Sequence, residues 1–266
     1  MRSAVLPIIT FGLFAMVVAD RLSHALESNP EDVVLAPEVD GSAAPDSKPP
    51  GIGETRKSAG AAIPATPTID RLARLAVRQQ ISREADRTYL DSLIVSTDSV
   101  VRRWPDRRGV PLRVSVIEGG PSSYHPRMAG FFRNALSRWE NTGMGVRFEV
   151  VSDTSAADII VRWVDQFGFD RAGQTDLTWD QRGRVRKAVI SLALRTNTGF
   201  ALPDEALLSV AVHETGHALG LPHSADSNDV MYPATRTGTL SDRDRRTALV
   251  LYQLQPGSLR DPEATR

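Results

Sequence analysis

His213, Glu214 and His217 stand in the pattern H-E-x-x-H, and His223 follows six residues after the second histidine. On a helix, residues four apart share one face a turn apart, so the His213 and His217 imidazoles can converge on one ion. Gly220 allows a sharp turn as such a helix ends, which lets His223 return with a third nitrogen. Three imidazoles suit zinc and leave one coordination position open for water. Glu214, beside the first histidine, carries a carboxylate that can take a proton from that water and later pass it to a leaving amine. The expected site is therefore one zinc ion on His213, His217 and His223, with Glu214 as the catalytic residue.

The plainer account is that two histidines on a helix are structural or surface residues and that H-E-x-x-H arises by chance. Three of the five histidines fall within eleven residues, next to a glycine turn and inside a capped helix, and that grouping favours the metal site. His24, in a linker-like stretch, and His125, near a helix start, are read as ordinary polar residues.

A frame must hold these groups. Pro203 and Asp204 open a helix that runs to about Leu219 and is stopped by Gly220. Upstream, PLRVSVI (111–117) alternates as a strand does, and PRMAGFFRNALSRWE (126–140) is an amphipathic helix with Met128, Phe131, Phe132, Ala135, Leu136 and Trp139 inward. VRFEVV (146–151) and ADIIVRWV (157–164) are two further strands. QTDLTWD (174–180) and VRKAVISLAL (185–194) form a hairpin through residues 181–184. LSDRDRRTALVLYQL (240–254) is a last helix, with Ser241 and Asp244 spaced as a capping box. The order predicts an α/β or α+β domain over residues 110–254.

The stretch VAVHETGHALGLPHSADSNDVMYP (210–233) resembles the metzincin metallopeptidases and, within them, the matrixin family. FFRNALSRWENTGMGVRFEVV and SAADIIVRWV resemble the first helix and the second and third strands of that family, so the likeness covers roughly residues 110–254. It implies a metzincin-like fold: a twisted mixed sheet with an antiparallel edge strand, an active-site helix and a C-terminal helix. It also implies a zinc metalloendopeptidase that hydrolyses internal peptide bonds. Met231 stands in the place of the family's Met-turn, whose methionine forms a floor below the metal without ligating it; read alone, it is a core residue. Tyr232 follows that methionine directly, not two residues on as in relatives that ligate through tyrosine, so it is not assigned to zinc. Leu240, Ser241, Asp242, Asp244, Leu251 and Tyr252 resemble the family's final helix. QTDLTWD falls where the family has its substrate-binding edge, which places a protein or peptide substrate along Gly173–Trp179, completing the ladder with its own backbone.

Departures from the family limit what carries over. Residues 165–189 contain no histidine, so a second, structural zinc is not expected. Asp165, Asp170, Asp176 and Asp180 are oxygen donors for a calcium ion, with solvated loop aspartates as the alternative. Cysteine is absent, which excludes a cysteine switch, disulfides and a thiol nucleophile. Ala234-Thr235-Arg236 after Pro233 departs from many matrixins, so preference beside the cleavage point does not transfer.

Thirty-two basic and thirty-two acidic residues give a formal net charge of zero, which argues against a nucleic-acid partner. Met1-Arg2 followed by the apolar stretch 4–19 predicts a signal peptide or membrane anchor over residues 1–19, hence an exported protein, secreted or periplasmic. Residues 20–67, rich in Pro, Gly, Ala and Ser, are a disordered linker; 68–109 form an N-terminal helical segment capped by Thr68, and 255–266 a tail. Two other accounts share these features: a non-catalytic zinc-containing module that binds peptides, and a protein that cuts its own linker.

Overall fold

The computed structural model describes residues 68–96, 99–168 and 170–260; the expected leader or anchor (1–19) and linker (20–67) lie outside them. Thr68 caps the first helix, its Oγ1 accepting the Arg71 N–H at 3.3 Å, and α1 spans Ile69–Arg83. The helical spacing continues to Leu93, but the helix stops earlier. The Thr88 hydroxyl donates to the Glu84 carbonyl at 2.9 Å, where a continuing helix would place a backbone N–H. A 3₁₀ turn (Ala85–Arg87) and a short α2 (Ser92–Val95) follow. Ile81 and Leu90 enter the core, while Ile69 and Leu72 stay exposed.

Then come β1 (Val100–Val101), β2 (Leu112–Val116), α3 (Arg127–Glu140), β3 (Phe148–Val150), β4 (Ile159–Val164), β5 (Gly173–Trp179) and β6 (Val185–Ala193). The chain continues through α4 (Asp204–Ala218), α5 (Asp242–Gln253) and β7 (Gly257–Ser258). Five strands make one twisted mixed sheet in the order β3-β2-β4-β6-β5. Neighbours are parallel except β5, which runs antiparallel to β6 and lies at the edge. Parallel strands need crossovers, and α3 supplies the one between β2 and β3. β4 and β6, inside the sheet, carry the apolar side chains Ile159, Val161, Trp163, Ile190 and Leu192 into the core.

The β5–β6 turn is set by Asp180, whose Oδ1 accepts the N–H of Arg182 at 3.0 Å and of Arg184 at 3.1 Å. On α3, Met128, Phe132, Ala135, Leu136 and Trp139 are buried as the spacing predicts; Phe131 is only partly covered. Trp139 Nε1 donates to the Val212 carbonyl at 2.8 Å, which fixes α3 against α4. α5 begins with the expected capping box, both reciprocal hydrogen bonds being present. β1 pairs antiparallel with β7, Val100 opposite Ser258, so the segment before the sheet and the segment after α5 are joined. Among the described residues, no helix is long and apolar enough to cross a membrane.

Candidate metal centre

α4 is buried on nearly every side: Val212, His213, Glu214, Thr215 and Gly216 are all enclosed, which an amphipathic surface helix would not be. Its end explains how a third imidazole returns. Gly220 adopts φ +98°, its N–H bonds to the His217 carbonyl at 2.8 Å, and the Leu221 N–H bonds to the Gly216 carbonyl at 3.0 Å. That is a Schellman turn, and it reverses the chain. The last helical carbonyls find further donors: Trp104 Nε1 on Ala218 at 2.8 Å and the Tyr252 hydroxyl on Leu219 at 3.0 Å.

His213, His217 and His223 are brought together, their ligating nitrogens within 4.8 Å of one another. Nε2 of His217 lies 3.0 Å from Nε2 of His213 and 3.0 Å from Nε2 of His223. His213 Nδ1 faces the Val230 carbonyl at 2.7 Å, and His217 Nδ1 faces the Leu221 carbonyl at 3.0 Å. A carbonyl oxygen only accepts, so in both rings the proton sits on Nδ1 and the lone pair on Nε2. Two facing lone pairs make no hydrogen bond with each other; they fit a cation between them. Nitrogens about 2.0–2.1 Å from a tetrahedral zinc would stand roughly 3.3 Å apart, close to the spacing found. Burial, reinforced by His217, pushes His223 down to about 3 and His213 well below the ordinary histidine range. Both rings are therefore neutral near pH 7, the form that ligates. The donor set fits a metal ion.

Glu214 is 1% exposed. The Thr175 hydroxyl, on β5, lies 2.6 Å from Glu214 Oε2 and 3.0 Å from the Glu214 carbonyl oxygen. Burial raises the Glu214 carboxyl to about 7, against the opposing pull of the Thr175 hydrogen bond and the Arg171 charge. A cation on the three imidazoles would pull it down again. Gly173, also on β5, gives this carboxyl its room, since a β-carbon there would lie 2.4 Å from Glu214 Oε1.

Met231 is fully buried, and a β-carbon on Gly216 would lie 2.3 Å from its sulfur. The glycine inside the H-E-x-x-H pattern thus lets Met231 come up against the helix between the two ligands. The Ser224 N–H on the Met231 carbonyl (2.9 Å) ties this turn to the residue after His223.

The expected oxygen donors are dispersed. Asp165 accepts from Ser123 at 2.7 Å, Asp176 from Gln174 at 2.9 Å, and Asp180 from Arg184 and Arg186, each at 2.8 Å. Among the described residues, the histidine trio is the one close group of three or more metal-ligating side chains. His125 has a local task, its Nδ1 accepting the Arg127 N–H at 3.3 Å near the start of α3. Sequence reasoning placed Gly173 and Thr175 in the substrate-binding edge without relating them to Glu214, and passed over the carbonyls of Leu221 and Val230. Only the first two had a signal, a small residue and a hydroxyl on the strand next to the helix.

The fold and this centre define a metzincin-like protein with a three-histidine metal site. The matrixin profile (Peptidase_M10) matches residues 104–253, and the chain belongs to the matrixin family. It is similar to metalloendoproteinase 1 of Glycine max, 28% identical over 163 residues, covering 50% of each chain. Metalloendoproteinase 1-MMP of Arabidopsis thaliana is 32% identical over 141 residues, 47% of this chain and 38% of that one. Matrilysin of Felis catus is 44% identical over 54 residues, 20% of this chain and 17% of its own. The chain spans half or less of the length of these curated relatives.

Proposed function

We propose that this chain is a zinc-dependent endopeptidase that hydrolyses internal bonds of extended peptides. The observation that carries the reading is the convergence of three imidazoles, with the Nε2 lone pairs of His213 and His217 turned toward each other, next in sequence to a buried carboxyl and beside a sheet-edge strand. His213, His217 and His223 would hold the ion, which when bound supplies a Lewis acid for the scissile carbonyl and makes water more acidic.

The chain's own residues do the rest. Val230 and Leu221 keep protons on the Nδ1 atoms of His213 and His217, and so keep both Nε2 atoms as donors to the ion. Glu214 accepts the proton of the attacking water and hands it to the leaving amine. The Thr175 hydroxyl on Oε2 holds the carboxyl in one orientation while it does so. The outer side of β5 offers its unpaired N–H and C=O groups to the peptide backbone, which orients the substrate with little demand on its side chains. The reading includes export, with residues 1–19 as leader or anchor and 20–67 as spacer to the catalytic domain.

The test is cleavage of a mixed peptide library by the zinc-loaded full chain, beside Glu214→Ala and a chelated sample. Cuts at internal bonds that fall by roughly 10²–10⁴-fold in the variant and disappear on chelation are expected. One bound zinc per chain with no cutting by the wild type would replace this reading with a non-catalytic peptide-binding module.

A further inference from the structure

Residues 68–103 lie upstream of the region the family profile matches, yet a hydrogen-bond chain runs from them to a metal-site imidazole. Tyr89, 2% exposed, donates its hydroxyl to Asp244 Oδ1 at 3.0 Å. Asp244 is fully buried at the start of α5, and its Oδ2 accepts the N–H of Val230 at 2.8 Å and of Ser241 at 2.9 Å. Val230 is the residue whose carbonyl faces His213 Nδ1. Each link is buried, where an unmade hydrogen bond costs about 1–3 kcal/mol and a made one is correspondingly directive.

Tyr89 is itself held in place. Its N–H lies 3.4 Å from Thr247 Oγ1, and the Arg243 guanidinium lies over its ring, 5.7 Å from the centroid. Arg243 donates both to the Thr88 carbonyl and to Asp229 Oδ2, each at 3.3 Å. Asp229, 2% exposed, also receives Ser224 at 2.5 Å and Ser241 at 2.6 Å. The same network therefore reaches the residue next to His223. At the surface, Glu84 takes two hydrogen bonds from Arg246, one of 2.9 Å from Nε. The surface pair docks the upstream segment; the buried tyrosine connects it to the metal site.

We infer that Tyr89 is a positioning residue of the metal centre: through Asp244 and Val230, its hydroxyl keeps the His213 proton on Nδ1 and the Nε2 lone pair toward the ion. The upstream segment is thus part of the centre and not only a tether. The inference rests on the proposal that the three histidines hold zinc.

The experiment measures zinc affinity of the full chain by competition with a chromophoric chelator, for wild type, Tyr89→Phe and Glu84→Gln. Thermal midpoints of the zinc-free proteins and imidazole ¹⁵N shifts of His213 are recorded beside it. Loss of a group hydrogen-bonded directly to a ligating histidine costs roughly 10–100-fold in affinity; at two bonds' remove, Tyr89→Phe should weaken zinc by about tenfold. It should also cost His213 its single Nδ1–H tautomer. Glu84→Gln should lower the zinc-free midpoint and bind zinc as the wild type does. Equal affinity in Tyr89→Phe and wild type, or equal losses in both variants, overturns the inference. A wild type that binds no zinc overturns the metal-site proposal itself. Should Tyr89→Phe not fold, Thr247→Val loosens the same tyrosine without removing its hydroxyl. A loss of about threefold is then expected, and unchanged affinity counts against the inference.

Discussion

Gly173 and Glu214 approach so closely that a β-carbon on the glycine would lie 2.4 Å from Glu214 Oε1 and 2.6 Å from its Cγ. The edge strand β5 and helix α4 are therefore spaced for a hydrogen and not for a methyl group. Because both Cγ and the carboxyl carbon are crowded, rotating the carboxyl alone gives no relief. Gly173→Ala should displace Glu214 from its position and lower kcat/KM by about 100-fold or more, as small misplacements of catalytic groups do. Zinc content should stay at the wild-type level, since the three atoms nearest the added methyl all belong to Glu214. Peptide cleavage and metal assay on one preparation check both, and an alanine variant with wild-type kcat/KM would count against the proposed role of Glu214.

Thr175, two residues along the same strand, gives Glu214 a hydroxyl donor at 2.6 Å. A hydrogen bond to a charged group contributes about 1.5–3 kcal/mol, so Thr175→Val should lower kcat by roughly 10–100-fold with zinc still bound. Thr175→Ser should restore most of it. Steady-state kinetics on the three proteins decide the point; a valine variant as active as the serine one assigns Thr175 to packing alone.

At the far end of β5, burial raises the Asp180 carboxyl, but the Arg184 N–H, the Arg186 and Arg184 guanidinium groups and the Arg182 N–H outweigh it. The carboxyl stands at about 2, against an ordinary 3.8. A carboxyl lowered by folding stabilises the protein above its unfolded value, and that contribution disappears as pH falls through the folded value. Wild type should therefore melt above Asp180→Asn by a constant margin from about pH 5 upward, narrowing between about pH 4 and 2. Thermal melts of both proteins across that range test it; a margin that widens in acid would reverse the sign.

The histidine cluster and the carboxyl beside it were legible because their spacing is local. H-E-x-x-H on a helix followed by a glycine turn is a one-dimensional pattern, and α4 with its Schellman turn realises it. The hairpin and the capping box of α5 were legible for the same reason. The partners that orient the site come from distant sequence. Thr175 meets Glu214 across 39 positions and Tyr89 meets Asp244 across 155, contacts that no periodicity encodes. Apolar spacing also failed to mark where α1 ends. Ile69 and Leu90 both fit one helical stripe, but the chain tightens into a 3₁₀ turn between them, the Glu84 carbonyl taking the Arg87 N–H at 3.0 Å and the Thr88 hydroxyl at 2.9 Å. Apolar spacing does not encode such a change from i→i+4 to i→i+3 pairing.

The open side of β5 carries a last consequence for the targets of the proposed cleavage. A guest segment can join that ladder only if its own backbone groups are unclaimed, so a stretch still paired inside a folded protein must first come free. The frequency of cutting then follows how often the target opens locally, and two identical sequences in differently stable hosts would be cut at different rates. On the proposed endopeptidase reading, selectivity would be exercised largely by the target's own folding equilibrium, and the protein would act as a sensor of slack chain.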